Sequence, residues 1–197
     1  MKISITELDD HLKRTESGVH ALRSGCEKMI VWASESGVKS KTSIVFIHGF
    51  SASRVEIDPV VNLIAAELNA NVYFTRLRGH GQDGKALGEA TYEQLLDDTI
   101  EAIEIGKSIG DDVVLMGCST GCSLIHIALG QDHDIKAAIY ISPNFGPKPI
   151  KGQALRIPGA KLLVPLIFGQ EHAFEAINDE YATCWTTKYP TKALFTI

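Results

Sequence analysis

Short, continuously apolar runs alternate along this chain with longer stretches in which apolar positions return every three or four residues. Ile44-Val45-Phe46-Ile47 and Val113-Val114-Leu115-Met116 are apolar throughout, and 135–141 is apolar apart from Lys136, as suits strands covered on both faces. Residues 29–33 and 71–75 read as two further strands. Between the runs, Val60, Val61, Ile64, Ala65 and Leu68 outline the buried face of one helix, and Leu95, Leu96, Ile100 and Ile103 that of a longer one. A polar helix is expected over residues 6–16. Strands that alternate with helices predict an α/β fold with a mainly parallel sheet, because parallel neighbours need a crossover between them.

The element boundaries carry their own signals. Asp58-Pro59 reads as a helix start, with aspartate as cap and proline at the first helical position. Thr91 with Gln94 predicts a capping box, and Gly110-Asp111-Asp112 ends the helix that follows it. Beyond Pro143 the texture changes: Pro147, Pro149, Pro158 and Pro165 interrupt short apolar segments, and 174–189 has room for one more helix. The expected organisation is a single domain over 1–197, with a core over 28–146 and a lid-like segment over 147–190. Leu162, Leu163, Val164, Leu166, Ile167 and Phe168 would suit an acyl chain in such a lid, or would simply be core. No internal repeat is visible.

Composition narrows the classes. The chain has 197 residues, 45% hydrophobic and 22% charged, which suffices for a sizeable core. A net charge of -5 without a long Lys/Arg run argues against a nucleic-acid partner or a polybasic membrane surface. Glu7, Asp9 and Asp10 precede any apolar stretch, so no secretory signal is expected, and no apolar run approaches the ~18 residues of a transmembrane segment. Cys26, Cys118, Cys122 and Cys184 form no C-x-x-C pair and read as reduced core cysteines, which points to the cytoplasm. No metal or organic cofactor is implied.

The candidate chemistry lies at Gly117-Cys118-Ser119-Thr120-Gly121, a G-x-S-x-G pentapeptide between an apolar run and a helical segment. Glycines flanking a sharp strand-to-helix turn let the backbone fold tightly and hold the serine out for attack. A serine hydroxyl is a weak nucleophile at its free pKa, so acyl transfer also needs a base and hydrogen-bond donors for the oxyanion.

His48-Gly49-Phe50 follows one strand and Arg78-Gly79-His80-Gly81 the next. With the pentapeptide, and in this order, the set resembles the α/β-hydrolase superfamily, in particular its carboxylesterase and monoacylglycerol-lipase-like branch, over roughly residues 28–190. The resemblance implies a small-molecule ester or acyl ligand, Ser119 as nucleophile and the backbone N–H groups of Phe50 and Thr120 as oxyanion donors. It makes His48 a brace for the oxyanion loop. It also implies an acid and then a histidine after the lid, and the sequence departs there, running to Ala193-Leu194-Phe195-Thr196-Ile197 without either. The expectation is therefore a fragment of a longer hydrolase or a shortened relative, with the acid and base unassigned.

Other histidines read as bystanders: His126 in the helix after the serine, His133 beside Asp132 and Asp134 in a polar loop, and His80 in a turn. His172, near Glu171 and Asp179, is the one lid candidate for a base. If nothing follows 137–141 in the sheet, that strand becomes a bare edge, open to a lid, a partner subunit or self-association.

A second reading is a noncatalytic small-ligand-binding protein that keeps the same cleft. A third, a dinucleotide site, rests on Gly79-His80-Gly81-Gln82-Asp83-Gly84 as G-x-G-x-x-G, but no helix is expected to open before Thr91.

Overall fold

The strands assemble in the order β1-β3-β2-β4-β5. They are β1 (Met29–Val31), β2 (Ser40–Ile47), β3 (Asn71–Phe74), β4 (Gly110–Cys118) and β5 (Ala137–Ile141). The sheet is parallel from β3 to β5, and β1 joins β3 antiparallel. This computed structural model describes residues 3–131, 134–146 and 158–196. Pro147, Pro149, His133 and Asp132, and the first part of the lid-like segment, lie outside the described residues.

Alternation along β2 shows why its run is continuously apolar. Val45 and Ile47 point into a core shared with α4 (Tyr92–Ile109) and α5 (Thr120–Leu129), whereas Ile44 and Phe46 point into a second core closed by Val61 and Ala65 of α2 (Val60–Leu68). Both faces are dry, so a polar residue on either needs a partner inside the fold, as Ser43 finds by donating to the Gly106 carbonyl at 2.8 Å. α2 contributes a narrower stripe than its periodicity suggests, since Val60 and Leu68 are exposed. α1 (Leu8–Ser17) is polar in composition yet buries Leu8 and Leu12 completely or nearly so against the first core.

The capping box is present in full: the Thr91 side chain accepts from the Gln94 N–H at 3.3 Å, and Gln94 accepts from the Thr91 N–H at 3.0 Å. Thr91→Ala is expected to cost about 1 kcal/mol of unfolding free energy, read by urea titration, because the start of α4 is left with unpaired donors.

Asp58 does not cap α2. The chain enters that helix through a backbone bond from the Val60 N–H to the Ile57 carbonyl at 2.9 Å, and the Asp58 carboxylate takes the Asn62 amide instead, at 2.8 Å. A short helix absent from the sequence reading, α3 (Gly84–Glu89), is capped by Asp83. It does begin at the last glycine of the G-x-G-x-x-G match. However, a Cβ at Gly84 would lie 2.9 Å from the Lys188 carbonyl carbon and from Tyr189 Cα, so this helix start is packed against protein with no room for a pyrophosphate.

After α6 (Ala160–Phe168), β6 (Glu171–Ala173) pairs antiparallel with β7 (Lys188–Pro190), and α7 (Asp179–Cys184) lies between them in sequence. Within α6, Ala160 and Val164 are buried while Leu162, Leu163, Leu166 and Ile167 are exposed; the Phe168 side chain lies outside the description. The ordinary-core reading thus fails for those four leucine and isoleucine residues. β5 pairs with β4 alone among the described residues, and Ala137, Ala138 and Ile139 are exposed.

Candidate active site

Ser119 sits where β4 turns into α5, with φ 50° and ψ -112°. This left-handed backbone is uncommon for a residue with a side chain, and it is held here from both sides. The Ser119 N–H donates to the Ile141 carbonyl at 3.0 Å, and its own carbonyl accepts from Cys122 and Asn144 at 3.1 and 3.2 Å. The ends of β4 and β5 and the first turn of α5 therefore fix the two peptides that flank the Ser119 Cα.

The flanking glycines are needed for space. A Cβ at Gly117 would lie 2.8 Å from the Cys122 nitrogen, and one at Gly121 would run into the Ile47 carbonyl, with that carbonyl carbon 2.8 Å away. Gly121 is where α5 touches the end of β2. Gly121→Ala must push the helix off the strand, shifting Ser119 relative to the loop after β2, and a displacement of about 1 Å can cost on the order of 100-fold in rate. Loss of that size in the rate of covalent serine labelling, with the protein still folded, is the expected result.

The loop after β2 is built around His48. Its Nε2 accepts from the Leu77 N–H at 3.1 Å, so its Nδ1 carries the proton and donates to the Gly49 carbonyl at 2.9 Å. Complete burial, with His80 and Arg76 nearby, holds His48 neutral, well below the usual histidine range. Both ring nitrogens are occupied, which leaves no lone pair for a serine proton. His80, its ring 5.0 Å from that of His48, is pushed down to about 4 by burial and is also neutral at pH 7.

Anchoring the Gly49 carbonyl sets the direction of the next N–H, since the peptide between them is planar. That carbonyl accepts from His48 and from the Ala52 N–H at 3.3 Å, and the Phe50 N–H on the opposite side donates to no described residue. The Thr120 N–H is the first of α5, where helix amides lack intrahelical acceptors and the helix dipole is positive. A Cβ at Gly49 would lie 3.2 Å from Ser119 Cβ, so the loop and the serine share one spot.

The Phe50 ring packs on Tyr189 at 5.3 Å and on His80 at 5.9 Å, and the Thr186 N–H donates to the Ser51 carbonyl at 2.7 Å. The segment from β6 to β7 thereby covers the outer side of this loop. His172 belongs to it, exposed, with its ring 5.3 Å from Tyr189. His126 is exposed on α5 beside Tyr140 and Phe145. Neither is hydrogen-bonded to Ser119.

One residue of this centre had no signal in the sequence reading. Glu56, on the stretch between the loop and α2, accepts from the Gly49 N–H at 2.6 Å, and its Oε1 lies 2.7 Å from where a Gly49 Cβ would be. The Cys118 thiol, one residue before Ser119, is a close electrostatic neighbour of the same carboxyl. Burial raises the Glu56 carboxyl, only partly offset by the Gly49 N–H and this thiol, while burial and Glu56 push the Cys118 thiol up to about 12. An acid seven residues beyond Gly49 in a polar stretch reads as a solvated loop residue; only the fold turns it inward.

A groove of about 620 Å³ opens elsewhere, between α1 and β1, lined by residues such as Leu12, Glu16, Lys28 and Ile30. None of the residues around Ser119 lines it. No His/Cys/Asp/Glu group suited to a metal occurs among the described residues.

The model of the alpha/beta hydrolase family matches residues 44–189. Among solved structures, one from work on LipS and LipT, two metagenome-derived lipolytic enzymes, is similar at TM-score 0.69 and 19% identity; the match covers 89% of this chain and 67% of that one. A monoacylglycerol lipase from Paleococcus ferrophilus is similar at TM-score 0.58 and 17% identity, covering 86% of this chain and 67% of that one. A soluble variant of the Saccharomyces cerevisiae monoglyceride lipase follows at TM-score 0.54 and 13% identity, covering 86% and 62%. No curated protein matches the chain.

Proposed function

Because the chain belongs to the alpha/beta hydrolase family, we propose that it is a serine hydrolase that cleaves carboxylic esters through an acyl-enzyme at Ser119. The observation that carries this reading is the left-handed Ser119 at the start of α5, with the unbonded Phe50 N–H on the facing loop. Ser119 Oγ attacks the ester carbonyl carbon, its proton passes to a base, and the alcohol leaves; water then releases the acid. The carbonyl oxygen, charged in the tetrahedral intermediate, is received by the N–H groups of Phe50 and Thr120. One such donor is worth about 3–4 kcal/mol when the site is preorganised. No described histidine is bonded to Ser119, so the base is left unassigned, as is the acid.

The lipolytic and monoacylglycerol-lipase neighbours support a lipase-like substrate with an acyl chain. The exposed Leu162, Leu163, Leu166 and Ile167 of α6 fit that chemistry, within a lid-like portion of a single domain. The outer edge of β5 is the proposed place for a further strand or a second copy to pair. No helix among the described residues is long and apolar enough to cross a membrane. The free cysteines, with Cys26, Cys118 and Cys122 buried, support a reducing compartment, and the cytoplasm is the proposed location.

Treatment with a fluorophosphonate probe, followed by peptide mapping, tests the reading. Covalent modification at Ser119 together with turnover of a p-nitrophenyl ester supports it. Binding of an acyl ligand without modification or turnover would instead favour a noncatalytic receptor built on the same cleft.

A further inference from the structure

The geometry points to Glu56 as a positioning residue of the Ser119 centre: its carboxyl group ties the oxyanion loop to the end of β4 and so holds the Phe50 N–H in register with the serine. This rests on the reading of Ser119 as the nucleophile.

Three contacts carry it. The Gly49 N–H donates to Glu56 Oε2 at 2.6 Å, a short distance for an amide donor and of the kind made to a charged acceptor. The Cys118 thiol, on the strand that ends at the elbow, is an electrostatic neighbour of the same carboxyl. Both carboxyl oxygens lie within 3.3 Å of the point where a Gly49 Cβ would stand, and Ser119 Cβ lies 3.2 Å from it. Glu56 therefore fills the space between loop and elbow. His48 fixes the Gly49 carbonyl, and Glu56 fixes the Gly49 N–H; between them two successive peptides are clamped, and Phe50 follows on the second.

The surroundings of Glu56 make this clamp sensitive to pH. Cys118 from β4, Cys122 from α5 and Tyr181 from α7 are the titratable groups that interact with it. No lysine, arginine or histidine acts on it among the described residues. The carboxylate is thus buried without a counter-ion, and its charge is disfavoured by the fold. Its folded pKa is raised, so the native state holds the proton more tightly than the unfolded chain. Its contribution to stability is full below the ordinary glutamate value and is lost as pH rises through the folded value. A carboxyl group buried in this way suits a role at the site rather than in the fold.

The test compares wild type, Glu56→Gln and Glu56→Asp. By ¹⁵N-resolved NMR, the Gly49 amide of the wild type should titrate with a midpoint above the ordinary glutamate value of about 4.3, and this transition should vanish in Glu56→Gln. Exchange of the Gly49 amide should be about tenfold faster in Glu56→Gln at pH 7 and partly restored in Glu56→Asp. Fluorophosphonate labelling of Ser119 should slow by a similar factor and lose from its pH profile the step that shares the midpoint of the Gly49 titration, while the melting temperature at pH 7 does not fall. A Gly49 amide that does not titrate, a Gly49 amide whose exchange is unchanged in Glu56→Gln, or a labelling profile that keeps that step in Glu56→Gln overturns the proposal. If the wild type is not labelled at any pH, the acyl-enzyme reading falls, and the two amide measurements still decide for or against the clamp.

Discussion

Ser119→Ala is expected to abolish covalent labelling and ester turnover together, a loss on the order of a million-fold for a nucleophile that works as a unit with its base. The fold should be untouched. Ser119 Oγ bonds to no described group, and the restraints on this residue run through its backbone: the bond to Ile141, those from Cys122 and Asn144, and the close contacts of Gly117 and Gly121. Alanine keeps all of them, although φ 50° remains an uncommon conformation for it. The check is a p-nitrophenyl ester assay and intact-mass labelling, with circular dichroism to show that the variant is folded. An alanine variant that still turned over ester, or still took the probe, would place the chemistry elsewhere in the molecule and end the acyl-enzyme reading.

Arg76→Ala is expected to remove about 3–5 kcal/mol of unfolding free energy, because it leaves a buried carboxylate unpaired. Arg76 Nε and a terminal nitrogen bond to both oxygens of Glu16, at 2.7 and 2.9 Å, with the two side chains 8% and 6% exposed. Burial by itself would raise the Glu16 carboxyl, but Arg76 and the Lys28 N–H outweigh it and hold the group below its usual range. The sign follows. In the wild type this contribution is present above the ordinary glutamate value and is lost as pH falls through the lowered folded value. In Arg76→Ala burial wins, so the Glu16 carboxyl rises and the variant should regain part of its loss on acidification. Urea titrations at pH 7 and pH 4.5 read this; a variant whose deficit is the same at both would show that the pair does not act through charge.

The consequence reaches the site. Arg76 immediately precedes Leu77, whose N–H holds His48, and it anchors β3 to α1. Loosening that junction removes one support of the loop that carries Phe50. Activity of Arg76→Ala should therefore fall more steeply with temperature than that of Thr91→Ala, whose lost cap lies at the exposed start of α4.

Several features were legible in the residues alone because their causes are local. The Thr91 and Gln94 box is a contact three residues long, and the glycines around Ser119 announce a turn through backbone sterics. The strand at Ile44 to Ile47 declares two dry faces by having no polar residue. Other features were not legible. α1 looks polar, yet Leu8 and Leu12 suffice to dock it once the loop after β3 supplies Arg76 for Glu16. The start of α3 at Gly84 was hidden in a glycine-rich stretch, and its role as a surface for β7 depends on a segment about a hundred residues later. Glu56 had no pattern at all: its partners are a backbone amide and a thiol on another strand.

By itself the sequence determined the α/β class, the five strands of the main sheet with the helices α2, α4 and α5 between them, and the sharp turn at Ser119, since these follow from periodicity, backbone freedom and caps acting over a few residues. The tertiary structure decided the strand order β1-β3-β2-β4-β5, the antiparallel placement of β1, the occupied ring nitrogens of His48 and the arrival of Glu56 beside Ser119. Those depend on register and packing between segments far apart in the chain, where the deciding energy is desolvation of particular groups, and nothing in a local pattern records which groups will meet.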